Sequence, residues 1–347
     1  MSLDARPATP SPAPEAPGDG PRTGRAGNAG RLLVRLGRDS SVNLGVGVML
    51  VLLVAYLWIT EEHFATYDNL ITILETNAIL LIVAIGLTYV MLVGGFDLSL
   101  GGMLALSGII LVDLLGAMPA GLAIALTVVI ATTLGLVLNG VLIAKVGLSF
   151  LVVTLGTASL FRGVALVQTE GRVESVFDEQ LLVTLGSEEA LRVPWSVWIA
   201  LAVLAISILV LRYTGFGRML YAVGGNREAA RLAGIPTTLV RLSVYGIAAG
   251  LAGFAGALEV GRLSSASPTA GTGIELVAAA AVLLGGTTFM GGRGTMVGTL
   301  LGVLFLGVLN NGITLAGIQA FWQSIVAGIV VIVALLLDRA TRRRGEM

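Results

Sequence analysis

The sequence predicts an all-α membrane protein of about ten transmembrane helices, and three observations predict it. Hydrophobic residues make up 56% of the 347 and charged residues only 12%, about half the charge of a soluble domain. Apolar windows of about 20 residues, the length that crosses a bilayer, recur along nearly the whole chain. Most of the arginines and the single lysine fall between or outside these windows, in a pattern that gives the chain a consistent orientation.

Residues 1–43 hold "PATPSPAPEAPGDGP" and are rich in Pro, Ala, Gly and Arg. Such a stretch buries too little apolar surface to fold alone, and it lacks the charged start and closely following apolar run of a signal peptide. It reads as a disordered cytoplasmic tail. The predicted spans follow at 44–60, 70–93, 98–116, 120–144, 149–168, 195–211, 241–261, 272–290, 295–316 and 320–337. Together they form a transmembrane domain over 44–338, with a short cytoplasmic tail at 339–347. Gly pairs at Gly94 and Gly285 interrupt two of the windows. The segment 169–193 is the long polar connection on one face, with six carboxylates against Arg172 and Arg192. The segment 213–240 is the long connection on the other.

Lys and Arg gather on the cytoplasmic side of membrane spans. Arg22, Arg25, Arg31, Arg35 and Arg38 precede the first span, and Arg339, Arg342, Arg343 and Arg344 follow the last. Both termini are therefore expected in the cytoplasm, which requires an even number of spans. Ten spans place Lys145, 213–240 and Arg293 inside, and 61–69 and 169–193 outside.

Composition excludes several chemistries. With no cysteine and with His63 as the single histidine, the chain offers no thiolate and no multi-histidine metal site. No catalytic residue and no metal ligand are expected. Lys145 stands between Ala144 and Val146, so it cannot belong to the Gly-Lys-Ser/Thr loop that cradles nucleotide phosphates. Any use of ATP has to come from another chain. Ionisable residues for a proton relay are few: Glu75, Asp97, Asp113, Arg162, Glu259 and Glu275, most of them near span ends. A proton-coupled secondary transporter is the rival class.

Within 213–240, "GGNREAARLAGIP" reads as a short capped helix. Asn226 can accept a first-turn N–H, Arg227 to Ala233 favour helix, Gly234 suits the left-handed position after it, and Pro236 stops it. On local sequence alone this is an ordinary surface helix linking two spans.

Four segments occur in order: "GGFDLSLGGMLALSG" (94–108), "LNGVLIAKVGLSFLVVTLGTASLFRG" (138–163), "GNREAARLAGI" (225–235) and "SASPTAGTGIELVAAAAVLLGGTTFMGGRGTMVGTLLG" (265–302). With "VLNNGI" (308–313) and "FWQ" (321–323), they resemble the membrane permease of ribose-type monosaccharide ABC importers over roughly 44–338. The resemblance implies the ten-helix permease fold of vitamin B12 uptake and a dimer, homodimeric or of close relatives. It also implies an ABC ATPase that binds ATP and Mg, a sugar-binding protein outside, and residence in the bacterial inner membrane. No cofactor is expected in this chain, and no nucleic acid; lipid is its surroundings. Gly225, Asn226, Arg227, Glu228, Ala229, Ala230 and Gly234 would then form the helix that couples the permease to the ATPase. Branched-chain amino acids or nucleosides are the alternative cargo within the superfamily.

Candidate path residues each carry a plainer reading. Asp97, with Ser99, either caps the next helix or fixes a broken helix beside the path. Asn139, Asn310 and Asn311 either meet sugar hydroxyls or hydrogen-bond between helices, an interaction worth about 0.6 kcal/mol in membranes. "GGFDLSLGG" and "GGTTFMGG" form a weak internal repeat of the kind transporters use.

Deleting the tail as far as Gly30, which spares the arginines at Arg31–Arg38, should leave the amount of protein in the membrane fraction unchanged. Loss of inserted protein on a membrane-fraction immunoblot would assign the tail a folding role.

Overall fold

The computed structural model describes residues 44–176 and 189–319, with positions 184, 322, 325, 326, 328–330 and 332. The N-terminal tail, most of the span expected at 320–337, the tail at 339–347 and the acidic residues Asp178, Glu179 and Glu188 lie outside the described residues. What is described belongs to one compact unit, Asp39–Met347.

The chain is an all-α membrane protein. Helices are α1 (Leu44–Thr60), α2 (Tyr67–Leu92), α3 (Leu100–Leu115) and α4 (Ala120–Leu134), which runs on into a π-helical segment (Gly135–Val146). Then come α5 (Phe150–Thr169), α6 (Trp195–Tyr213), α7 (Gly215–Gly225), α8 (Arg227–Leu232), α9 (Thr237–Leu263), α10 (Ile274–Leu284) and α11 (Met296–Leu315). Among the described residues six helical stretches are long and apolar enough to cross a membrane, with α1, α3 and α10 shorter. Two-residue strands tie the loops: β1 (Glu174–Ser175) pairs with β4 (Ser265–Ala266), and β2 (Glu189–Ala190) with β3 (Val193–Pro194).

Helix α2 is the buried axis. Thr66 starts it by accepting the Asn69 N–H, and every residue from Asn77 to Leu92 is buried. A helix apolar on all sides is stable only when surrounded, and α6, α9, α10 and α11 supply most of its neighbours. Helix α1 does the opposite. Val51, Leu52, Tyr56, Trp58 and Ile59 are exposed, as a lipid-facing surface requires, while Leu57 packs with Phe64, Ile73 and Val308.

Helix α9 packs tightly against several helices at once. Methyl groups on Gly256 and Gly253 would lie 2.4 Å from Leu104 O and 2.5 Å from Ala131 Cβ. Small residues let helices approach at the backbone, and in lipid this packing is the main source of association.

Two findings differ from the sequence reading. The span expected at 272–290 ends at Leu284, because Gly285 stops α10 and the chain then turns through Gly286, Gly291, Gly292 and Gly294, all at positive φ. The segment 213–240, read as a long connection holding one short helix, is helical over most of its length. It folds as α7, α8 and the first turn of α9, with Leu220 and Val223 turned inward.

A methyl on Gly302 would sit 1.9 Å from Ala281 O, between α11 and α10, whereas Gly156 on α5 has open space. Gly302→Ala should lower stability by about 1–3 kcal/mol through overpacking, read as a lower melting temperature in detergent. Gly156→Ala should leave that temperature unchanged.

Candidate functional site

The short helix α8 is built as its sequence implies and stands in the open. Asn226 has extended backbone, and its Oδ1 accepts the Ala229 N–H at 2.9 Å. The same residue closes α7 by donating its N–H to Ala222 O at 3.1 Å. At the other end Gly234 takes φ +83°, with Ile235 N–H on Ala230 O at 3.0 Å and Gly234 N–H on Arg231 O at 3.0 Å. That paired arrangement satisfies carbonyls the helix end would otherwise orphan. Ala230 is the buried anchor, while Leu232 is 77% exposed.

Gly225, Asn226, Arg227, Glu228 and Ala229 are all exposed on this element, with Gly234. Arg231 Nη2 and Nε donate to the two Glu228 oxygens at 2.6 and 3.2 Å. The hydrogen bonds from Arg231, then its charge, hold the Glu228 carboxyl below its usual range. A depressed carboxylate pKa means the pair is formed at neutral pH and is lost only as pH falls through the depressed value. With both side chains in solvent, its contribution to stability is small. Its effect is to fix the charged surface that α8 presents.

Three of the candidate path residues, Asp97, Ser99 and Asn139, form one buried cluster, joined by Thr157. Asp97 Oδ1 accepts the Ser99 N–H at 2.9 Å and the Ser99 hydroxyl at 2.6 Å. Asn139 Nδ2 donates to Ser99 Oγ at 2.8 Å and to Asp97 Oδ2 at 3.2 Å. Asn139 Oδ1 accepts the Thr157 hydroxyl at 2.7 Å. The N-cap of α3 is Ser99, and Asp97 holds that turn from two residues before it.

The cluster therefore ties the break between α2 and α3 to the π segment and to α5. Asp97 and Asn139 are 0% exposed, so in this conformation they meet protein, not open space. A fully connected polar network of this kind rigidifies its surroundings.

Asn310 and Asn311 lie elsewhere. Asn311 exchanges hydrogen bonds with Asn69 at 2.6 and 3.1 Å, joining α11 to the first turn of α2. The Asn310 backbone carbonyl accepts the Thr314 hydroxyl, and its side chain is half-buried.

Sequence reasoning missed Thr157, which is one Thr among several in α5. It also missed Tyr221, Gly224 and Tyr245, whose significance is contact across the fold. An apolar cavity of about 280 Å³ lies beside Leu74, Asn77, Trp198 and Val303. It holds no convergent set of polar groups for a sugar. Among the described residues no His, Cys, Asp or Glu group could hold a metal ion.

At the opposite end of α2 from Leu92, Arg192 lies over the Tyr67 ring at 4.9 Å, and its carbonyl accepts the Tyr67 hydroxyl. This pins the β2–β3 turn, where Leu191 is 87% exposed.

The family model of the branched-chain amino acid transport system / permease component matches residues 69–335. The ribose import permease of Escherichia coli K12 is 41% identical over 84% of this chain and 92% of the relative. That of Bacillus subtilis is 41% identical over 85% and 92%. The D-allose transport system permease of Escherichia coli K12 is 32% identical over 84% and 90%. No solved structure matches the chain.

Replacing Asn139 by Leu should remove the bonds to Asp97 and Ser99 and leave a buried carboxylate undersatisfied, at a cost of about 1–3 kcal/mol. Thr157→Val should cost less, since Asn139 Oδ1 loses one bond only. Melting temperatures in detergent should fall in that order; an unchanged Asn139→Leu protein would show that the cluster is not a brace.

Proposed function

The chain belongs to the permease-component family of branched-chain amino acid transport systems, within its ribose-type sugar branch, and we propose that it forms the path of an ATP-driven importer for a monosaccharide. The cargo is read as sugar because the relatives that cover most of the chain are named for ribose and allose. In such an importer the permease is a transport subunit and not itself an enzyme. ATP and Mg are bound by a separate ABC ATPase, and an extracytoplasmic binding protein brings the sugar.

The single observation that supports a coupling role is the form of α8. It is capped at both ends, exposed along one face, and flanked directly by α7 and α9. A helix that receives a push from another protein must be short, rigid and fixed at its ends. The arginines of 213–240 support a cytoplasmic position for α8, beside the ATPase. The β2–β3 turn, at the far end of α2, is then outside and available to the binding protein. A helix of 26 residues such as α2 spans about 39 Å, enough to separate the two faces.

The remaining assembly follows from the same reading. The subunit works as a two-fold dimer, with itself or a close relative, in the inner membrane, with ten helices of the vitamin B12 permease type and both termini in the cytoplasm. The buried Asp97–Ser99–Asn139–Thr157 cluster braces the wall of the path. A sugar crosses with weak contacts, since tight binding belongs to the delivery protein.

Gly234→Val would force a β-branched residue into the left-handed region, and Glu228→Arg would replace the α8 ion pair with added positive charge. Both should insert normally yet lose uptake in proteoliposomes that carry ATPase and binding protein. Uptake by the unaltered protein should require ATP and persist when the proton gradient is collapsed. Parental uptake by both variants would reduce α8 to a linker, and uptake that stops with the gradient would move the chain to the proton-coupled class.

A further inference from the structure

Three segments far apart in sequence meet at the Leu92 end of α2, and they meet through backbone. Gly292 N–H donates to Leu92 O at 2.9 Å. A methyl on Gly224, in the last turn of α7, would lie 1.9 Å from Leu92 O and 2.4 Å from Gly292 N. One on Gly292 would lie 2.8 Å from Gly225 Cα, and one on Gly94 2.9 Å from Met290 O. One turn back on α7, the Tyr221 hydroxyl donates to Gly294 O at 2.9 Å. The end of α7 is thus seated against Leu92 and Gly292, and at Gly224 no side chain acts as a cushion.

Helix α8 begins two residues after this seat. On its other side the chain passes Pro236 into α9, where Tyr245 is fully buried. A methyl on Gly95 would lie 2.6 Å from the Tyr245 hydroxyl oxygen. The helices on both sides of α8 therefore abut the same four residues, Leu92–Gly95. Two residues beyond them is Asp97, the centre of the polar cluster.

We infer that the Leu92–Gly95 turn is the receiver for movement of α8. Helix α7 acts on it through Gly224, α9 acts on it through Tyr245, and the turn passes the displacement to the Asp97–Ser99–Asn139–Thr157 tie. Tyr221, Gly224 and Gly292 are positioning residues in this scheme. Close-packed protein has low compressibility and transmits strain, and backbone seated on backbone has no rotamer to absorb it. The inference rests on the coupling role proposed for α8. Its physical content is that the route is narrow and can be cut without touching α8 itself.

The chain has no cysteine, so Leu232→Cys on the exposed face of α8 gives a single reporter for docking on the ATPase. The assay uses the full complex with its binding protein in proteoliposomes, with ribose as the probe sugar. In the Leu232→Cys background, Gly224→Ala should lower the melting temperature as Gly302→Ala does, while the protein that accumulates still crosslinks to the ATPase and supports the basal rate of ATP hydrolysis. Stimulation by ribose-loaded binding protein should vanish, and uptake should fall by about tenfold, within the range for changes along a coupling route. Tyr221→Phe removes one hydroxyl, so it should fold and crosslink normally while more ATP is consumed per ribose carried. Full stimulation and uptake in crosslinked Gly224→Ala complexes would overturn the inference. If Gly224→Ala does not accumulate, an unchanged ATP-to-ribose ratio in Tyr221→Phe overturns it instead. If Leu232→Cys fails to crosslink in the otherwise unaltered complex, the coupling reading of α8 falls and takes this one with it.

Discussion

The close approach of α9 to its neighbours is the contact on which the rest of the structure depends. Lipid tails are as apolar as the side chains, so helices gain little from hiding from them and must instead gain from packing. Helix α9 supplies that gain with glycine and alanine along its buried length. It touches α2, α3, α4 and the π segment together. Where a methyl would collide with Leu104 O or Ala131 Cβ, only glycine permits the spacing. Helix α2 can be apolar on every side because α9 and its partners close around it.

That packing lets the chain break helices inside the bundle. In hydrocarbon each unsatisfied backbone group is costly, and irregular backbone survives only where protein surrounds it. The stretch from Val93 to Ser99 meets this condition by borrowing partners. Leu92 O accepts Gly292 N–H, and Ser99 N–H goes to Asp97. The second irregular stretch, after Gly285, lies against the first, and each helps satisfy the other. The polar cluster around Asp97 is thus part of the same solution: a carboxylate is tolerated because Ser99 and Asn139 answer both of its oxygens.

The chain joins a rigid centre to two exposed features at opposite ends of α2. One is α8, capped and charged. The other is the β2–β3 turn, held by the cation–π and hydrogen-bond contacts between Arg192 and Tyr67. The centre is closely packed, and the two features project from it.

The sequence by itself determined the membrane class, because scarcity of charge and the length of apolar runs are properties of composition. It determined α8 as well: Asn226, Gly234 and Pro236 act on their immediate neighbours, so the capping needs no tertiary partner. The likeness to the ribose-type permeases was legible for the same reason, carried by ordered local motifs such as "GGFDLS" and "SPTAGTG". Tertiary structure alone decided what the polar and small residues do. Asp97, Asn139 and Thr157 are separated by 42 and 18 residues in the chain, and no local rule says that they meet while Asn311 goes to Asn69. Nor does any rule distinguish Gly224, wedged against Leu92, from Gly156, which faces open space. A side chain's periodicity reports which way it faces on its own helix. What it meets there depends on how the helices cross, and only the packed bundle fixes that.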